Sequence, residues 1–227
     1  MSRGFGWHEL LYVLRGLGWT LALSAMALTA GGLGGLIIAL ARQSRARLLR
    51  IVAGGFILLL QGTPVLMQLF LAFYGLAVLT GFRMDPWPAV ILAFTLYAAA
   101  FLGEIWQGAI EAVPRTQWEA AHALGLRRHV ILLRVVAPQA VRLAIPPTVG
   151  FLVQLVKSTA VASIIGFVEL TRAGQLMVNV TFQPMLIYPL VAMLYFVVCW
   201  PISLLASWLE RRLDVGRRPV GRMLGGT

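Results

Sequence analysis

An all-α integral membrane protein is the fold class that the sequence predicts, and three observations predict it. Of 227 residues, 59% are hydrophobic and only 12% charged, against about 45–50% and about 25% in a usual soluble domain. Nearly charge-free stretches recur along the chain, each long enough to cross roughly 30 Å of hydrocarbon as a helix of ~20 residues. Finally, 19 cations face 8 anions, a net charge of +11, and the cations gather in the connections between the apolar stretches. This composition excludes a water-soluble globule. It also excludes a disordered basic tail, which would be poor in apolar residues.

In chain order, the apolar stretches predict about five transmembrane helices, near 16–41, 53–79, 87–110, 143–168 and 185–209, in one domain covering 1–227. The first contains Gly31-Gly32-Leu33-Gly34-Gly35, whose Gly31 and Gly35 form a small-xxx-small pair that lets a neighbouring helix approach closely. The second run has room for a helix plus a surface turn and ends near Leu79. The third is interrupted only by Glu104 and the fourth only by Lys157, the sole Lys of the chain. Pro146-Pro147 suits the first turn of the fourth helix, where missing N–H groups cost nothing. Gly166 breaks that helix, and Glu169-Leu170-Thr171-Arg172 comes next as a turn or short helix. Pro189 and Pro201 predict kinks in the fifth helix, with neighbours satisfying the freed backbone groups. Cys199 is a packing residue in an apolar stretch, without a disulfide partner. The first apolar run is too long for a signal-peptide core and lacks a small-residue cleavage site.

Orientation comes from counting cations. Fourteen Arg lie on the side of the 111–142 loop and the C-terminus, and Arg3, Arg15, Arg83 and Arg172 lie on the other. The positive-inside rule then places the N-terminus outside and the C-terminus in the cytoplasm. The same asymmetry explains the basic charge without any nucleic-acid partner.

The 111–142 loop carries the densest local signals. Pro114 ends the third span or starts a new element. Thr116-Gln117-Trp118-Glu119 matches a capping box, with Thr116 capping a short helix and Glu119 reaching back to it. Gly125 fits the left-handed residue that ends such a helix. Trp118, Ala121 and Leu124, spaced i, i+3, i+6, give it one apolar docking face.

Glu119-Ala120-Ala121, three residues, Gly125, nine residues and Val135-Val136-Ala137-Pro138 resemble the EAA loop of ABC importer permeases. Val135 stands where Ile is usual and Ala137 where Leu is usual. Further segments, in family order, are similar to permeases for polar amino acids. They are Gln61-Gly62-Thr63-Pro64, Gly103-Glu104-Ile105-Trp106-Gln107-Gly108, Pro138-Gln139-Ala140, Pro146-Pro147, Val156-Lys157-Ser158-Thr159-Ala160 and Ile164-Ile165-Gly166-Phe167-Val168-Glu169-Leu170. Ser158 departs from the pattern, because an acidic residue is common after the Lys. The resemblance covers roughly 15–215. It implies a type I permease fold with a cytoplasmic coupling helix at 116–126, on which a cytosolic ATPase docks through Thr116, Trp118, Glu119, Ala120, Ala121, Leu124 and Gly125. It also implies a second permease subunit, an extracytoplasmic amino-acid-binding protein, and residence in a bacterial inner membrane. ATP and Mg would be bound by the ATPase, and no cofactor by this chain.

An intramembrane charge costs about 2.5–3.5 kcal/mol or more, so it faces protein or water. Glu104 and Lys157, with Gln154 and Ser158 beside the latter, either pair internally or line the route of an amino-acid zwitterion. Arg83, Glu169 and Arg172 are expected at the outer surface as contacts for the binding protein. His8, His122 and His129 lack metal-ligand spacing with carboxylates or Cys. No Walker A sequence and no catalytic constellation is present. Two competing readings are an ATP-independent channel or secondary carrier with Glu104 and Lys157 as ion sites, and a scaffold subunit. The short helix argues against both, because neither needs a dock for an ATPase.

Overall fold

The structure is a computed structural model that describes residues 6–81 and 85–213. Among the described residues every regular element is helical: α1 (Trp7–Arg42), α2 (Arg47–Gln61), α3 (Val65–Phe70), α4 (Leu76–Thr80), α5 (Pro86–Glu111), α6 (Arg115–Ala123), α7 (Arg128–Val130), α8 (Ala137–Ser158), α9 (Leu170–Thr181) and α10 (Pro184–Leu213). Four helical stretches are long and apolar enough to cross a membrane, and a bent pair, α2 with α3–α4, supplies a fifth.

α1 has 36 residues, about 54 Å at the helical rise, so it extends well beyond the expected start at Gly16. Its buried stripe is made largely of small residues, among them Gly16, Thr20, Ser24, Ala27, Gly31 and Gly35. A Cβ on Gly31 would lie 2.5 Å from the Ala98 Cβ, and one on Gly35 would lie 2.9 Å from the Leu102 Cβ. The glycine pair therefore serves contact with α5 inside the same chain. α5 is the most buried of the long helices. Asp85 caps its start by accepting from Trp87 N at 3.1 Å, with Pro86 as its first residue. Around it lies the main core, which includes Leu23, Phe94, Tyr97, Leu102, Phe151 and Leu155.

The second span departs from expectation. Instead of one helix over 53–79, α2 and α3 meet at a 102° bend. Pro64 has no N–H and disfavours helical geometry at Thr63, so the ladder stops there. The Gln68 amide closes the gap by donating to the Leu60 carbonyl at 2.6 Å and the Thr63 carbonyl at 3.1 Å. A π-helical turn, Leu71–Gly75, joins α3 to α4, and Gly81 at φ +71° ends the segment.

Pro146 and Pro147 do not open the fourth span. They lie inside α8, and the crossing runs from Arg128 through a π turn (Ile131–Val136), α8 and a 3-10 turn (Thr159–Ile165). α8 starts upstream because Pro138 occupies its first turn, so the start signal at 146–147 is the second of two. Without N–H groups, the prolines leave the carbonyls of Arg142 and Leu143, both exposed residues, outside the helical ladder. Gly166 at φ +89° ends the 3-10 turn, as the sequence predicts. The next element is a helix, the second of the two expected alternatives, but α9 runs for 12 residues, well past Arg172. α10 remains one helix through Pro189 and Pro201, with Cys199 buried against Val153 and Val156.

Candidate docking helix and intramembrane polar groups

α6 begins differently from what the capping box implies. Pro114, extended at φ −53° and ψ 137°, is the residue before the helix, and no side chain caps it. Its carbonyl accepts the first turn's bond from Gln117 N at 3.0 Å. Thr116 thus sits inside the first turn, and the Thr116–Glu119 capping box does not form. A proline at this boundary already sets extended geometry and starts the helix two residues early.

The C-terminal end matches expectation. Gly125 has φ +72°. Gly125 N donates to the His122 carbonyl at 2.9 Å and Leu126 N to the Ala121 carbonyl at 3.3 Å, the paired bonds of a Schellman motif. Leu126 packs with Ala121 in the same apolar cluster, which completes the motif.

The docking face also differs. Ala121 is buried and Trp118 half-buried, both against Val113, Ile131 and Val136 of the same chain. Leu124 is 79% exposed, and Thr116, Glu119, Ala120 and Gly125 are exposed with it. The apolar stripe therefore anchors α6 to the end of α5 and to the π turn. The surface open to a partner carries Thr116, Glu119, Ala120 and Leu124. Periodicity reveals an apolar side but does not say whether its partner belongs to the same chain.

Behind α6 lies a polar chain that the sequence did not reveal. Arg42 Nε donates to Gln107 Oε1 at 2.6 Å, and Gln107 Nε2 donates to Glu111 Oε1 at 2.9 Å. It ties the end of α1 to the end of α5. The only sequence signal was an Arg closing one span and a Gln-x-x-x-Glu pair at i, i+4 in another.

Within the membrane, Trp106 Nε1 donates to Thr148 Oγ1 at 3.0 Å and Gln154 Nε2 to Tyr97 Oη at 2.9 Å. These two bonds set the antiparallel register of α5 and α8. The register places Lys157 level with residues near Thr95, about 14 Å along the axis from Glu104. Glu104 and Lys157 are both exposed and form no ion pair with each other among the described residues. The internal Glu104–Lys157 pair is therefore not made. Gln154 and Lys157 share the exposed face of α8 with Gly150, and Ser158 is half-buried beside them. Glu104 lines a separate cleft of about 320 Å³ with Arg42, Gln107 and Glu111.

The outer-surface expectation fails for Glu169, which is fully buried. Its carboxylate caps α9, accepting from Thr171 N at 2.9 Å and Arg172 N at 2.8 Å. It also accepts from Tyr195 Oη at 2.8 Å, and from Thr20 Oγ1 at 3.5 Å. Burial pushes this carboxyl above its ordinary range, against the lowering effect of the hydrogen bonds. A Glu preceding a new helix signals a cap in sequence, but its partners lie 149 and 26 residues away. Arg172 is half-buried, with Nη1 donating to Gln175 Oε1 at 3.2 Å. Arg83 lies outside the described residues.

Together these features define a multi-pass helical membrane subunit with a small, rigidly seated helix between its third and fourth crossings. Residues 31–215 match the family described as the binding-protein-dependent transport system inner membrane component, and the chain belongs to that family. It is 38% identical to the L-cystine transport system permease protein TcyB of Bacillus subtilis (strain 168), covering 88% of this chain and 85% of the relative. It is 33% identical to the nopaline transport system permease protein NocM of Agrobacterium fabrum (strain C58 / ATCC 33970), over 83% of each chain. The solved structure of an amino acid ABC transporter with histidines superposes with a TM-score of 0.84 at 33% identity, covering 89% of this chain and 94% of that one. The MetNI methionine ABC transporter shares the fold, with a TM-score of 0.78 at 20% identity. These likenesses give no support to an ATP-independent channel or carrier.

Proposed function

We propose that this chain is the permease of an ABC importer for a polar amino acid, paired with a second permease copy or a sister subunit around a shared pathway. The observation that carries the reading is α6. It is held by Trp118 and Ala121 against the ends of two crossings and presents Thr116, Glu119, Ala120 and Leu124 outward. A cytosolic ATPase dimer gripping that outer face would move α6 as one piece with α5 and the fourth crossing, because close-packed side chains transmit displacement instead of absorbing it. Rocking of two such subunits then alternates access to the pathway. ATP and Mg act in the ATPase, and this chain performs no hydrolysis itself. A binding protein delivers the solute at the outer face, the N-terminus lies outside, and the C-terminus is cytoplasmic. The amino-acid substrate class is supported by the relatives named above.

The test is reconstitution of the complex in proteoliposomes with its binding protein, and uptake of labelled amino acids including cystine and glutamine. Uptake should require ATP, and Leu124→Asp should release the ATPase while the permease stays folded. Uptake driven by an ion gradient in the permease alone, or an ATPase that still binds and couples to the Leu124→Asp variant, would overturn the proposal.

A further inference from the structure

The side of the molecule that carries α6 holds a cleft of about 600 Å³ lined by Arg45, Arg115, Arg128, His122, Trp118 and Glu111. Three arginines line it from three separate segments: the α1–α2 connection, the start of α6 and the start of α7. Glu111 is the one carboxylate in the lining, and its Oε1 is engaged by Gln107. No ion pair joins any of the three Arg to a carboxylate among the described residues. Arg128 Nη2 donates to the Gln43 carbonyl at 2.9 Å, which fixes its position at one wall. His122 Nδ1 lies 2.8 Å from the Trp118 carbonyl; when it donates there, Nε2 is left available to a ligand.

Cations that only report membrane orientation would spread over the surface. These three converge on one concavity at the level where α1 ends at Arg42 and α5 ends at Glu111, the membrane–water boundary of this side. Ile110, Val113 and the Trp118 ring add an apolar wall. Guanidinium forks match the oxygens of a phosphate in pairs, and basic pockets at this level suit anionic lipid head groups.

We infer that the cleft binds a phosphoryl group, either the head-group phosphodiester of an anionic phospholipid or free phosphate, between the α1–α2 connection and α6. The inference goes beyond the docking role of α6 and does not depend on it. A ligand there bridges Arg45 to Arg115, so its occupancy would couple the seating of α6 to the lipid or phosphate present.

The test is native mass spectrometry of the purified full chain with phosphatidylglycerol, phosphatidylcholine or inorganic phosphate. Phosphatidylglycerol should be retained over phosphatidylcholine, and Arg45→Gln with Arg115→Gln should weaken retention about tenfold. The double Arg→Lys variant should fall between, since it keeps charge but loses the fork. Arg47→Gln, exposed and outside the cleft, should change nothing. If the double variant does not fold, each single Gln variant carries the same comparison. Competition by inorganic phosphate would assign the site to free phosphate, and its absence to the lipid. Equal retention of the two lipids without phosphate binding, or equal losses in Arg47→Gln and the cleft variants, would overturn the inference.

Discussion

Gly31→Ala tests whether α1 and α5 hold together through backbone proximity. The added Cβ would sit 2.5 Å from the Ala98 Cβ and 3.0 Å from the Thr95 carbonyl oxygen, where ordinary contact begins at 3.4 Å. Both obstacles are short and stiff, so the helices must part by about 1 Å, enough to forfeit a quarter to a half of each neighbouring dispersion contact. Overpacking of this kind costs about 1–3 kcal/mol, and each kcal/mol lowers Tm by about 2–4 °C for a chain of this size. The two ranges combine to an expected fall of about 2–12 °C. The chain has one cysteine, and Cys199 is only 6% exposed, so a thiol-reactive dye reports melting from a single buried site. Gly18→Ala is the control: it lies on the same helix with nothing within 4 Å of the added Cβ. Equal melting temperatures for the two variants would refute the close-approach argument.

Other expectations use the same melt, joined by a functional readout for Gly125 and Lys157. Gly125→Ala should cost about 1–2 kcal/mol locally, since a left-handed residue with a Cβ is strained, and should weaken ATPase pull-down, whereas Thr116→Ala, which breaks no cap, should stay within about 0.5 kcal/mol. Glu169→Ala strands buried donors from Tyr195, Thr171 and Arg172 and should cost about 3 kcal/mol, with Glu169→Gln losing far less because it still accepts. Lys157→Met should leave stability within about 0.5 kcal/mol but reduce transport by the assembled complex; normal uptake would remove Lys157 from the pathway.

Much of the fold is legible in the sequence because its signals are local. Gly125 and Gly166 both end their helices, since a glycine after a helical run marks the left-handed position that other residues resist. Gly31 and Gly35 form the close-packing pair that their spacing implies. Expectations fail where two elements compete or where the partner is distant. Pro114 displaces Thr116 as the start of α6, and Pro138 pre-empts Pro146-Pro147 at the start of α8. Gly62-Thr63-Pro64 lies inside an apolar run long enough for a straight span, and hydropathy averages over such a break. Glu169 resembles a surface charge because Thr20 and Tyr195 are invisible from its own neighbourhood.

The sequence by itself determined that this chain crosses a membrane as helices, that the 111–142 loop carries a short helix ended by Gly125, and the family to which it belongs. Composition, apolar length and short motifs carry that information without reference to any other part of the chain. Tertiary structure alone decided which side of α6 faces outward, that Glu104 and Lys157 stand apart in the helical register instead of pairing, and that Glu169 is a buried cap. Each of those depends on which surface of one helix meets which surface of another, and that choice is made by packing across large sequence separations.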